Sequence, residues 1–96
     1  MSNDAIQEIE DAQKVVDLGA AVQRLATNRD FKKVVMEMYF EKEAVRLVHS
    51  KSLPAMQTPE HQASILRDID AIGSFYQFLR TLEIQAEMSR RAIEDG

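Results

Sequence analysis

The chain has 96 residues, no cysteine, and 45% hydrophobic and 29% charged residues. This length accommodates one modest core, and this composition is typical of a folded globular domain rather than a disordered segment. The formal net charge of −4 disfavours nucleic acid as a partner, and the lack of cysteine excludes disulfides, thiolate zinc sites and cysteine nucleophiles.

No apolar segment approaches the roughly 20 residues that a membrane span needs. The N-terminal residues MSNDAIQEIEDAQ are acidic and lack the apolar run of a signal peptide. We therefore expect a soluble, cytoplasmic protein.

The first predicted helix spans residues 3–26. Ser2 or Asn3 is suited to cap it, and acidic residues follow near the positive end of the helix dipole. Its apolar residues form two series that are out of phase, so the apolar stripe changes face along the helix. Gly19 lies inside the helix at a cost of about 1 kcal/mol relative to alanine, which a close helix contact would explain.

The second predicted helix spans residues 29–50. Thr27 and Asp30 resemble a capping box, and Ala26 and Phe31 could form the hydrophobic staple around it.

The apolar residues of this second helix lie on two faces. One face carries Val34, Val35, Met38 and Val45, and the other carries Met36, Phe40 and Leu47. We interpret Val45 as a core residue. The helix could lie between the other two helices and use both faces within the chain. Alternatively, the second face could contact a partner subunit.

Residues 51–58 form the main break, after which Thr58 as cap and Pro59 at the first position begin the third helix. Its apolar residues follow the alternating four–three spacing of a heptad seam: Ile65, Ile69, Ile72, Tyr76 and Leu79. A helix over residues 59–93 would be roughly 52 Å long, against about 33 Å for the second helix. We expect its end to overhang, and to be either frayed or covered by another chain.

The charged residues do not form a recognisable catalytic site. Glu37 and Glu41 lie one turn apart, as do Glu83 and Glu87, but no histidine has the spacing used in di-iron bundles. No glycine-rich phosphate loop or nucleophile elbow is present. We therefore predict no metal, no cofactor and no enzymatic activity.

Residues 24–51 carry seven basic and four acidic residues, whereas the segments before and after them are net acidic. We favour complementary charge between antiparallel helices over a polyanion-binding stripe. Arg29, Lys32 and Lys33 lie in the opening turns of the second helix, whose amides attract anions, and are a candidate anion-binding site.

Six aromatic residues lie in the second and third helices, and we expect them to form much of the core between those helices. They are Phe31, Tyr39, Phe40, Phe75, Tyr76 and Phe78.

The segments RLATNRDFKKVV, YFEKEAVRLV and DIDAIGSFYQFLR together resemble a group of small helical proteins encoded by tailed bacteriophages. That group has a similar Asp-Phe-Lys start, a Tyr-Phe-x-x-Glu-Ala-Val-Arg-Leu-Val core and a later Asp-x-x-Ala-Ile-Gly. The likeness covers about residues 20–80. It implies a virion or assembly role, in the host cytoplasm during assembly or in the virion, and it assigns no functional residue.

Our prediction is an all-α protein of three helices, an antiparallel hairpin followed by a long third helix with coiled-coil-like packing. We expect it to act without catalysis as a phage structural or assembly protein, through contacts with itself and other phage structural proteins. The alternative is a phage-encoded inhibitor that binds a host factor or anionic ligand through the basic start of helix two. The candidate partner interface is Met36, Phe40, Leu47, Leu82, Ala86 and Ile93.

Overall fold

The computed structural model describes residues 2–95, and these residues form three long helices and no strand. Helix α1 spans Asn3–Thr27, α2 spans residues 29–51, and α3 spans Pro59–Asp95. The predicted all-α fold is therefore confirmed, and α3 continues without interruption through Gly73.

Helix α2 contains an unusual internal segment. One α-helical turn, Arg29–Phe31, is followed by π-helical hydrogen bonding over Lys32–Glu43 and then by α-helix over Ala44–Lys51. A π-helix bonds residue i to residue i+5, so each turn is wider than in an α-helix. The consecutive residues Tyr39 and Phe40 lie in this segment, and both contact the same aromatic side chain of α3.

Side-chain caps define the three helix starts. The Ser2 hydroxyl accepts a hydrogen bond from the Ala5 amide at 3.2 Å, and the Thr58 hydroxyl accepts one from the His61 amide at 3.1 Å. At the start of α2 the cap is Asn28, whose side chain accepts from the Phe31 amide at 2.9 Å.

The assignment of the α2 cap to Thr27 was therefore wrong by one residue. Asn28 adopts the extended backbone conformation of a cap, with φ −71° and ψ 128°. Thr27 instead belongs to the last turn of α1, where its hydroxyl donates to the Arg24 carbonyl at 2.9 Å.

Two glutamine side chains close the connection between α2 and α3, which contains a short 3₁₀ turn over Pro54–Met56. Gln57 donates to the carbonyl oxygens of Lys51 and Leu53, at 2.9 and 2.7 Å. Gln62, in the first turns of α3, donates to those of Lys51 and Met56, at 2.9 and 2.8 Å. The Lys51 carbonyl, at the end of α2, thereby gains side-chain partners in place of the amides that a helix end lacks.

The chain divides into two compact units. The first unit contains α1 and the residues of α3 from Phe78 onwards. In it, Gly19 packs so closely on α3 that an added Cβ would overlap the Cβ of Ala86. The close helix contact expected at Gly19 is present.

The second unit contains α2, the connection and the residues of α3 up to Gln77. The two helices run antiparallel, since Leu47 packs with Ile65 and Ile72 while Phe40 contacts Tyr76 further along α3. Met56 from the connection and Ile69 of α3 also pack against this core.

These contacts differ from the predicted packing in two respects. We expected the antiparallel hairpin between the first two helices. The contacts above instead form one between α2 and α3. The final turns of α3, expected to be frayed or covered by another chain, belong to a compact unit with α1 of the same chain. Both α1 and α2 carry apolar faces, so their pattern alone did not determine which part of α3 each would cover.

Candidate interaction surfaces

The face of α2 that packs on α3 is the one carrying Met36, Phe40 and Leu47. Leu47 is 3% exposed and belongs to the core of the second unit, and Phe40 packs against that core. Met36 is half-buried. Leu47 is therefore a core residue, and its assignment to a partner interface was wrong.

The opposite face of α2 is exposed and apolar. We refer to Val34, Met38, Val45 and Val48 as the α2 stripe; their exposed fractions are 62%, 48%, 53% and 57%. The interpretation of Val45 as core was therefore wrong. Because both faces of α2 are apolar, periodicity did not reveal which one would meet α3.

An apolar groove of about 400 Å³ lies between α2 and α3 in the second unit. It is lined by Met36, Phe40, Glu41, Ile72, Gly73 and Tyr76. Apart from the neighbouring backbone of α3 itself, no atom lies within 4 Å of the position that a Cβ would take on Gly73. The groove is therefore open at that point.

Four aromatic rings form a cluster, and two of them, Phe40 and Tyr76, line this groove. The ring centres of Phe40 and Phe75 lie 5.4 Å apart, and those of Phe40 and Tyr76 lie 5.6 Å apart in an edge-to-face arrangement. Tyr39 contacts both phenylalanine rings. These spacings are favourable for aromatic pairs, and they show that part of the predicted aromatic core is formed.

The remaining predicted interface residues lie on α3 in the first unit. Ala86 faces Gly19 of α1, and the carbonyl oxygen of Leu82 lies beside the same glycine. Leu82, Ala86 and Ile93 are each half-buried. Ala86 thus contacts the chain's own α1, which corrects its assignment to a surface for another subunit; a partner role for Leu82 and Ile93 remains a prediction.

A cavity of about 260 Å³ beside this contact has a mixed lining. Its residues are Val16, Gly19, Ala20, Gln23, Glu83, Ala86, Glu87 and Arg90. Glu87 forms ion pairs with Arg90 at 2.6 Å and with Arg91 at 3.0 Å, and Arg90 also contacts Glu94 at 2.7 Å.

These ion pairs perturb the pKa of the groups involved. The hydrogen bond from Arg90 lowers the pKa of the Glu87 carboxyl, and the same bond raises the pKa of the Arg90 guanidinium. On α2, the hydrogen bond from Arg46 Nε to Glu43 at 2.7 Å raises the pKa of Arg46. Each of these ion pairs joins two residues of the same helix at its surface, where such pairs contribute little to stability.

The candidate anion-binding residues Arg29, Lys32 and Lys33 are all exposed at the start of α2. The Phe31 amide, which an anion there could have used, already donates to Asn28. Among residues 2–95, no three histidine or carboxylate side chains are grouped so that they could hold a metal ion. Anion binding stays a prediction.

No protein-family model, curated protein or solved structure gives a significant match. Within residues 2–95, no helix has both the length and the apolar character that crossing a membrane requires.

Sequence reasoning missed two features of these surfaces. Val48 extends the α2 stripe, and its position three residues after Val45 was a usable signal. Gln57 and Gln62 gave no such signal, because a glutamine in a loop or first helical turn is equally suited to solvent.

Proposed function

We propose that this chain is a non-enzymatic protein that acts through helix-mediated protein–protein contacts and associates with itself. The observation that carries the proposal is the imbalance between buried and exposed apolar side chains. Among the described residues, four hydrophobic residues are buried, whereas fourteen large hydrophobic residues are exposed. Single exposed apolar residues are ordinary, but four on one helix face form a patch that marks an interaction site.

The α2 stripe supplies the surface for such contacts. Stable interfaces bury about 800 Å² per partner around an apolar centre with a polar rim. A helix face with four apolar residues and exposed charged residues beside them has this composition.

The cellular setting that we propose is the assembly of a tailed bacteriophage, on the basis of the sequence resemblance. The chain would be a small structural or assembly component that contacts other phage structural proteins as well as its own copies. A short chain used in many symmetric copies can cover surface that its own core leaves exposed.

Size-exclusion chromatography with light scattering, over a range of concentrations and at low and high salt, tests self-association. We expect a discrete oligomer that persists at high salt, because apolar contacts are not screened by ions. A monomer of 10.9 kDa at every concentration would overturn the proposal. It would favour the alternative, a protein that binds a host factor.

The phage setting is tested separately by mass spectrometry of phage particles, purified from a lysate of infected cells in which the chain is expressed. We expect the chain in the particles or in their assembly intermediates, at many copies. Its recovery only among free proteins at every stage of assembly would contradict a structural role.

A further inference from the structure

One side of α3 carries a row of exposed residues at the alternating four–three spacing of a coiled-coil seam. In chain order the row consists of Leu66, Asp70, Gly73, Gln77, Arg80 and Ile84, all of them exposed. We refer to these six residues as the α3 row. Because α3 is α-helical without interruption over Pro59–Asp95, they lie on one side of a single helix.

The contacts within the chain do not account for the α3 row. The ion pairs formed among residues 2–95 involve neither Asp70 nor Arg80. Arg67 and Glu83, which lie three residues away on α3 and have the opposite charges, form none with them. Gly73 has no atom of another helix within 4 Å of an added Cβ, so no close helix contact among the described residues explains this glycine.

The α3 row is complementary to itself in an antiparallel pair of α3 helices. With a two-fold axis level with Phe75, residues equally far before and after Phe75 face each other in the two copies. Leu66 then faces Ile84 of the second copy, and Asp70 faces Arg80. The symmetry repeats each pair, so two ion pairs lie between two apolar ends.

Charge selects this register and this orientation. A shift of one copy by one heptad in one direction places Asp70 against Glu87, and a shift in the other direction places Asp70 against Gly73. A parallel pair places Asp70 against Asp70 and Arg80 against Arg80, which is unfavourable. The antiparallel pair also places the positive end of each helix dipole beside the negative end of the other.

The other charged residues of this part of α3 agree with the antiparallel pair. Arg67 and Glu83 lie beside the row and are equally far from Phe75, so each is level with the opposite charge in the second copy. Asp68 is level with the apolar Leu82. No like charges of α3 between residues 66 and 84 are therefore level with each other.

The groove between α2 and α3 adjoins the row at Gly73. Glu41, which lines the groove beside Gly73, is level with the uncharged Gln77 of the second copy. Tyr76 is 47% exposed and lies next to the axis, so Tyr76 of the second copy comes close to the opening at Gly73. A larger residue than glycine at this position would hold the two helices apart.

From this complementarity we propose that α3 packs antiparallel on α3 of a second copy through the α3 row, about a two-fold axis level with Phe75. The inference rests on the proposed self-association and adds a second surface to the α2 stripe. With one apolar residue at each end the contact is small. It forms between oligomers that the stripe already holds together, because these can make it more than once.

Charge reversal tests the pairing of Asp70 with Arg80. Asp70→Arg and Arg80→Asp each place like charges against each other, so either variant should reduce the mass of the oligomer to about half, because a two-fold contact joins its units in pairs. The double variant Asp70→Arg/Arg80→Asp restores opposite charges and should restore the mass. Asp17→Arg, an equal change of charge at an exposed position of α1, should leave the mass unchanged. Light scattering after size exclusion at low salt measures these masses.

Cysteine cross-linking under mild oxidation tests the orientation, since the natural chain contains no cysteine. A mixture of Leu66→Cys and Ile84→Cys should form a disulfide-linked heterodimer. Neither variant alone should cross-link efficiently, because the two copies of each position lie roughly 27 Å apart along the helices. Cross-linking of each variant to itself, with none in the mixture, would indicate a parallel pair and overturn the proposal.

These results separate failure of the α3 contact from failure of self-association. A natural chain that is monomeric at every concentration overturns both proposals. An oligomer whose mass withstands Asp70→Arg, or is not restored by the double variant, overturns only the α3 contact. If circular dichroism shows that a charge variant loses helix content, the cross-linking of the mixture decides, and its absence overturns the α3 contact.

Discussion

Gly19 and Gly73 both lie inside helices, but their surroundings differ. At Gly19 a side chain would overlap the Cβ of Ala86 on the facing helix, whereas at Gly73 the corresponding space is open. The sequence indicated a close contact at Gly19, and the structure gives it a partner. For Gly73 the sequence left open only whether the helix would continue, and it does.

Substituting each glycine by alanine should therefore have opposite effects. Gly19→Ala should lower the free energy of unfolding by about 1–3 kcal/mol, the usual cost of forcing a group into a packed contact. Gly73→Ala should raise it by up to about 1 kcal/mol, because alanine favours helix. Urea unfolding of both variants measures this, and a destabilised Gly73→Ala or a stabilised Gly19→Ala would contradict the packing described here.

Glu87 should titrate below its ordinary pKa of 4.5, because the ionised carboxylate accepts hydrogen bonds from Arg90 and Arg91. Since the folded pKa is lowered, the interaction stabilises the fold above pH 4.5 and is lost as the pH falls through the folded pKa. NMR titration of the side-chain carboxyl checks the direction. Arg90→Gln should raise the Glu87 pKa, and an unchanged value would show that the ion pair does not form in solution.

At the scale of helices, α2 shows both the reach and the limit of sequence patterns. Its two apolar faces were visible in the sequence. The choice of face could not be made, because Val45 and Leu47 are similar in polarity and both fit a helical period. The facing residues Ile65 and Ile72 of α3 decide it.

Leu47 and Val45 provide a direct test of that choice. Leu47→Ala should cost about 2–5 kcal/mol of unfolding free energy, as for other buried leucines. Val45→Ala should change the stability of dilute protein by no more than about 0.5 kcal/mol, because the side chain is exposed. Denaturant titrations at low protein concentration compare the two, and a larger effect at Val45 would reverse the assigned faces.

The start of a helix could be predicted from the sequence where only one residue was suited to cap it. Thr58 followed by Pro59 is such a case, and the Thr58 hydroxyl caps α3. At the start of α2, Thr27 and Asn28 are adjacent and both suited to capping. The backbone conformation of Asn28 decides between them, and that conformation is not encoded by either residue alone.

Only four hydrophobic side chains are buried among residues 2–95, and for the molecule as a whole this predicts a monomer of low stability. Binding of a second copy to the folded chain stabilises it, so the melting temperature should rise with protein concentration. Circular dichroism melts over about a hundredfold range of concentration measure this effect. The melting temperature of Met38→Lys should be the same at every protein concentration. A melting temperature of the natural chain that is equally independent of concentration would count against self-association.

The helical class was predictable for the whole molecule because few residues interrupt helix formation, but the partition of contacts was not. Helix α3 carries one apolar seam along its first half and a weaker one beyond it. Which helix covers which half depends on local fits such as Gly19 against Ala86. Such fits involve residues far apart in sequence, and periodicity within one helix carries no information about them.

The connection between α2 and α3 has a consequence for experiments on assembly. Gln57 and Gln62 hold it through amide groups that do not ionise, bonded to backbone carbonyls. Neither added electrolyte nor moderate acidity should alter these bonds, so the angle between the two helices stays constant across buffers. Any response of assembly to buffer composition should therefore arise at the outer surface rather than from opening of the hairpin.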